Sequence, residues 1–250
     1  MIGGTRVYDA HTHIGAARHS GRSYTADDLL RDMDAHGVDR ALVIPYPVVE
    51  DYRASHDVIG DALLRYADRL TGAACLPAFL TDAARREELR RVVERYGVRV
   101  LKFQPQYQPL NPLGREFEGL CAAAAELGLT MVCHTGLGAP FALPSLYIHA
   151  ARLFPKTAFV LAHCGGPAYF LEAVVAAEVC PNIYLELSSL MPHHVTDVLE
   201  RVPVSRLMAG SDLPESQRAE MGKIFDAAAG EARAEILWRT PRRVLDGARE

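Results

Sequence analysis

No stretch of the sequence approaches the ~18 uninterrupted apolar residues that a membrane-spanning helix needs, so no membrane partner is expected. No Lys/Arg cluster is dense enough to follow a phosphate backbone, and the net charge is −4, so nucleic acid is not expected either. Neither GxGxxG nor GxxxxGK(S/T) follows any candidate strand, which removes the nucleotide-binding forms of an open α/β sheet. Cys75, Cys121, Cys133, Cys164 and Cys180 contain no CxxC pair, and their odd number argues against a disulfide framework. At least four of them are expected as small buried hydrophobes, in a reducing compartment. The opening MIGGTRVYDAHTHIG lacks a charged-then-apolar leader, so a cytoplasmic setting is expected. Linkers, low-complexity tracts and charge blocks are also missing, and the chain reads as one domain, 1–250.

What the sequence does have is a rhythm. Short apolar, β-branched runs recur at 6–14, 40–46, 70–79, 98–104, 130–135, 158–163, 183–188 and 206–211. Amphipathic stretches separate them, at 56–66, 83–96, 116–127, 145–154, 168–179, 195–201 and 215–229, with a short helix at 239–245. A further helix opens at Thr25, which supplies an N-cap, with Asp27 and Asp28 in the first turn. Leu29, Leu30, Met33 and Val38 give it an apolar face, and Gly37 ends it. Strands alternating with helices predict parallel βαβ units. In 250 residues the economical closure is a (β/α)8 TIM barrel.

The polar residues of interest fall at the C-terminal ends of these strands, where a barrel gathers its catalytic groups. The first strand carries Asp9-Ala-His11-Thr-His13, and period-2 alternation puts both imidazoles on one face. Later strands end at Lys102 and Gln104, at His134, at His163 and at Asp212. Lys102 is expected to point inward together with Val98, Val100 and Gln104. Imidazoles and a carboxylate of this kind suit one divalent ion, Zn²⁺ by ligand type, with Mn²⁺ as the alternative. His19, His36, His56 and His149 read as surface or packing residues, while His193 and His194 lie in a loop over the mouth. Tyr46, Tyr107, Phe141 and Tyr169 are further candidates for the pocket wall.

An ordered set of motifs adds to this: DAHTHIG (9–15), GVDRALV (37–43), LKFQP (101–105), CHTG (133–136), FVLAHCGG (159–166), NIYLELS (182–188) and GSDLP (210–214). With these the chain resembles the amidohydrolase superfamily, in particular the branch that includes the aminocarboxymuconate-semialdehyde decarboxylase-like enzymes. The resemblance implies a distorted, metal-dependent TIM barrel. It implies His11, His13, His134 and Asp212 as metal ligands, with His163 beside the attacking water. In some branches the lysine at the position of Lys102 is carboxylated and bridges two metals. Gln104 stands where the family often has His, Glu186 where it often has Asp, and the connection at 15–24 is short.

The first functional expectation is hydrolysis of a C–N or C–O bond, in an amide, lactone or ester of a small cyclic or carboxylated molecule. His163 and Asp212 are the expected catalytic residues, and Lys102, Gln104, Ser188 and His193 the expected substrate contacts. Non-oxidative decarboxylation of a small aromatic or unsaturated acid is the alternative. A metal-free binding or scaffold barrel is a third reading. The thinly covered mouth leads to the expectation of a homodimer.

Overall fold

In the computed structural model, which describes residues 4–248, β1 (Tyr8–Ala16) turns back through the two-residue β2 (Ser23–Tyr24) into α1 (Ala26–His36). Then follow β3 (Arg40–Pro45), α2 (Tyr52–Arg65), β4 (Leu70–Cys75), α3 (Asp82–Tyr96), β5 (Val100–Phe103), α4 (Arg115–Glu126) and β6 (Thr130–His134). The second half comprises α5 (Ile148–Leu153), β7 (Phe159–Ala162), α6 (Gly166–Val179), β8 (Ile183–Glu186), α7 (Pro192–Arg201) and β9 (Leu207–Met208). It ends with α8 (Gln217–Ala227), α9 (Gly230–Ala234), a π-helical turn (Glu235–Arg239) and α10 (Thr240–Leu245). Among the described residues no helix is long and apolar enough to cross a membrane.

Apart from β2, every strand pairs in parallel with its neighbours, in the order β1-β3-β4-β5-β6-β7-β8-β9. The sheet closes through two backbone bonds: Ala10 N–H donates to Ala209 O and Asp212 N–H to His11 O, each at 2.8 Å. The expected (β/α)8 barrel is therefore present, and each expected strand run coincides with one of its strands, β1 running two residues past the expected end at Ile14. The predicted start of α1 is also there. Thr25 and Asp28 exchange backbone and side-chain bonds in a capping box, and Gly37 takes the left-handed conformation at φ 68° that a Cβ would disfavour.

Two apolar layers result. Val7, Ile14, Leu29, Leu101, Phe103 and Leu161 belong to the layer between sheet and helices. Tyr8, Ala10, Leu42, Ile44, Val100, Val132, Val160 and Met208 fill the barrel interior, and Leu245 of α10 plugs its floor. Val98 packs in the outer layer, not on the inner face shared by Val100 and Lys102; it precedes the start of β5, so the alternation does not reach back to it.

One detail of β1 decides the site. Tyr8 and Ala10 face inward, so strict alternation would turn His11 and His13 outward. The pairing of β1 with β3 shifts register between Asp9 and Thr12. A bulge of this kind re-aims the side chains that follow it. Ile14 then joins the outer layer, and His11 and His13 face the barrel axis.

Candidate active site

His11 and His13 lie side by side with ring centroids 5.2 Å apart. Asp212 reaches across from the loop after β9, its Oδ1 3.4 Å from His11 Nε2 and 3.5 Å from His13 Nε2. Ligand atoms about 2.1 Å from a tetrahedral centre stand about 3.4 Å apart, so this trio has the spacing of a cation site. Its three donor atoms all lie within 4.8 Å of one another. His134 stands outside this compact trio, packed edge-on against His163 at 4.7 Å between centroids. His163 in turn stacks on His11 at 4.9 Å.

Glu186 organises the inner side of the cluster. Its Oε2 lies 3.1 Å from His11 Nδ1 and accepts from His163 N–H at 3.1 Å and Ser188 Oγ–H at 2.9 Å. Its Oε1 accepts from Ser188 N–H at 2.6 Å. These bonds assign the imidazole tautomers by donor and acceptor balance. A carboxylate oxygen accepts, so His11 carries its proton on Nδ1, and its Nε2 lone pair accepts from Lys102 Nζ–H and stands beside Asp212 Oδ1 as a second free donor atom for a cation. Ser188 gives its one proton to Glu186, so its oxygen accepts from His163 Nδ1–H at 2.8 Å. The Nε2 of His163 is then an acceptor. Gly210 makes the packing possible: a Cβ there would lie 2.6 Å from Glu186 Oε1 and 2.8 Å from His11 Cβ.

Asp9 fixes the opposite side. Its carboxylate accepts from His11 N–H, Ser211 N–H, Ser211 Oγ–H and Gln217 Nε2–H, which pins the chain just before Asp212. Burial pushes Asp9 up to about 7 against these donors. Burial would also raise Asp212, but the His163, His13 and His11 imidazoles hold it well below the usual carboxylate range. Burial lowers His134 to about 2 and His163 to about 4, so both rings are neutral near pH 7. His163 and Asp212 both occupy the left-handed region, at φ 66° and φ 62°. Non-glycine residues held there cost about 1–3 kcal/mol and concentrate at functional sites.

Lys102 points inward, as its strand position predicts, and is 1% exposed. Its Nζ lies 2.9 Å from His11 Nε2, at the floor of the cluster rather than at the rim. Burial lowers its pKa, against the pull of Asp212 and Glu186. Gln104 is half-buried just beyond β5, and its N–H donates to Gln108 Oε1 at 2.5 Å. Ser188 is fully buried behind His163, where its hydroxyl is already engaged. His193 is exposed on the first turn of α7 against His194, 4.0 Å between centroids. The structure thus brings His11, His13, His134, His163, Lys102 and Asp212 together and leaves His193 outside the cluster.

Sequence reasoning missed Glu186 as the organising carboxylate. Its signal was present, since Glu186 and Ser188 alternate onto one face of β8 and its extension. Arg22 and Glu215 were also missed; they form an ion pair between the β1–β2 connection and the turn after β9.

A parallel barrel with imidazoles, carboxylates and a lysine converging at the C-terminal ends of its strands defines a class of barrel enzymes with a candidate metal centre. Within it, the chain belongs to the amidohydrolase family, whose sequence profile matches residues 8–247. A search of curated proteins by sequence found no match. Solved structures share the fold. A TIM-barrel protein from Bordetella bronchiseptica is 16% identical over 96% of this chain and 98% of its own, with TM-score 0.77. A 5-carboxyvanillate decarboxylase from Novosphingobium aromaticivorans, complexed with manganese and 4-hydroxy-3-methoxy-5-nitrobenzoic acid, is 14% identical over 97% and 96%, with TM-score 0.74. A probable 2-pyrone-4,6-dicarboxylic acid hydrolase from Acinetobacter baumannii, with citric acid bound, is 14% identical over 96% and 99%, with TM-score 0.71. These fold neighbours include a decarboxylase and a probable hydrolase.

Proposed function

We propose that the chain is a metal-dependent hydrolase that cleaves a C–N or C–O bond, of amide, lactone or ester type, in a small cyclic or carboxylated molecule. One observation carries the reading: Asp212 Oδ1 faces two imidazole Nε2 atoms at 3.4 and 3.5 Å, the spacing of a tetrahedral cation site. A divalent ion held by His11, His13 and Asp212, with His134 as a further donor, would polarise the substrate carbonyl and make water a stronger acid. Zn²⁺ suits these ligands, and Mn²⁺ is the alternative.

Asp212 accepts the proton of the attacking water and returns it to the leaving nitrogen or oxygen. The Nε2 acceptor of His163 orients that water, with the ring held in place by Ser188 and Glu186. Ser188 thus acts through His163. Lys102 supplies a cation at the floor for negative charge on the substrate, and Gln104 remains a proposed substrate contact. The homodimer and the cytoplasmic setting belong to this proposal; a monomer mass in light scattering removes the first.

Lys102 also supports a second reading. Its N–H groups could protonate the carbanion left when a C–C bond breaks and CO₂ departs, which is decarboxylation. Turnover of lactones, amides and aromatic acids in H₂¹⁸O separates the two. Hydrolysis places one ¹⁸O in the product acid. Release of CO₂ with no ¹⁸O in the organic product overturns the first reading.

A further inference from the structure

One buried group at the mouth is not used by the proposed reaction. Tyr46 follows β3 directly, and its ring stacks on His13 with centroids 5.2 Å apart and planes 16° from parallel. The residue is 6% exposed, and its hydroxyl is buried with no acceptor for its proton. Packing does not call for that hydroxyl, since phenylalanine would stack equally well. A buried O–H left unpaired is costly, so it points to a partner that arrives from outside.

Three charges surround it. Arg22 acts on the Tyr46 oxygen as a donor and by its charge, and Glu215 and Asp212 act on it by their charge. Arg22 comes from the β1–β2 connection, and its guanidinium is paired with Glu215 from the short turn before α8. Their side chains are 38% and 52% exposed. Ion pairs this open to water are weak and exchange partners at little cost.

We propose that Arg22 and the Tyr46 hydroxyl form the subsite for a carboxylate of the substrate, and that Glu215 occupies Arg22 until that carboxylate arrives. A carboxylate offers only acceptors. It takes one bond from the phenolic O–H and charge-assisted bonds from the guanidinium. A neutral amide of the same shape forgoes the charge on Arg22. The incoming group replaces Glu215, which swings into solvent. The inference rests on the barrel mouth being the substrate site, and not on which bond is cleaved or which metal is held.

The test is binding to chelator-treated protein, so that no metal can hold the probe. Benzoate and succinate are compared with the neutral benzamide by calorimetry. Both carboxylates bind at least about tenfold more tightly than benzamide. Arg22→Gln weakens them about tenfold, and Arg22→Lys recovers part of the loss. Tyr46→Phe weakens them about threefold. Glu215→Gln tightens them about threefold or more, because the internal competitor is gone. That gain is the readout a purely structural ion pair would not give. The proposal is overturned if benzamide binds as well as benzoate, if Glu215→Gln leaves carboxylate affinity unchanged or lower, or if neither carboxylate binds wild type or Glu215→Gln. Failure of the hydrolytic reading would appear in the ¹⁸O experiment and leave these binding ratios intact.

Discussion

The barrel holds two buried histidine–glutamate pairs that look alike in isolation. His11 Nδ1 lies 3.1 Å from Glu186, and His56 Nδ1 lies 2.7 Å from Glu88. All four side chains are 1% exposed or less. They differ at the far ring nitrogen. His56 Nε2 sits 3.1 Å from both the backbone N and O of Cys75, groups that cannot move. Glu88 spends its remaining capacity on Arg91 and lies 3.4 Å from Arg53. That network is closed and ties α2, α3 and β4 together. His11 Nε2 instead faces a flexible ammonium and a carboxylate shared with a second imidazole. A buried histidine with a carboxylate behind it becomes a candidate ligand only when its other nitrogen meets groups that a cation can replace or join.

Five substitutions and one change of condition would break or sharpen this contrast. The largest effect belongs to Asp212→Asn. Asparagine tolerates the left-handed backbone, so the fold persists while turnover falls by about four orders of magnitude, read from steady-state kinetics. His56→Ala comes next and does the opposite. It strands Glu88 and the Cys75 backbone and lowers unfolding free energy by about 3 kcal/mol, while metal content per folded molecule stays at the wild-type value. Chemical denaturation with metal analysis checks both halves.

Glu186→Gln keeps the volume but changes the acceptor behind His11. Metal affinity should fall by about 10–100-fold, as measured by competition with a chelating dye. Glu88→Gln should leave that affinity unchanged. Acid separates the pairs again. Burial pushes Glu88 up, but His56 and Arg91 outweigh it and bring it to about 2, below the usual 4.5. Its stabilisation is therefore complete above pH 4.5 and is lost as the pH falls toward 2. It contributes about 2 kcal/mol after allowance for the solvent around Arg91, and Glu88→Gln should flatten that part of the pH–stability curve. The smallest effect is Tyr46→Phe without ligand. Removing an unpaired hydroxyl should leave stability within about 0.5 kcal/mol of wild type or raise it, in contrast to removal of either engaged histidine.

Much of this was legible in the sequence. The apolar runs located every barrel strand, and the strand ends named His11, His13, Lys102, His134, His163 and Asp212. The assignment of His56 to packing also agrees with its closed network. What local pattern could not carry was geometry set by distant contacts. Alternation put His11 and His13 on one face, but only the bulge in β1 turns that face inward. His163 directly follows the inward Ala162, so alternation alone would aim it outward; its left-handed backbone lets it stack on His11 instead. Glu186 read as a substitution at a familiar position, whereas its four hydrogen bonds come from residues on three strand ends. Val98 was read one strand position too far. The unpaired Tyr46 hydroxyl became visible only once its neighbours were in place.

The most direct test of the account is a calorimetric titration of Zn²⁺ and Mn²⁺ into chelator-treated wild type, Asp212→Asn and His56→Ala. The account predicts one equivalent bound by wild type and by His56→Ala, with affinity strongly reduced in Asp212→Asn. Two equivalents would replace the single-ion site with one bridged by a carboxylated Lys102. No binding to wild type, or binding indifferent to Asp212→Asn, would contradict a metal centre at His11, His13 and Asp212.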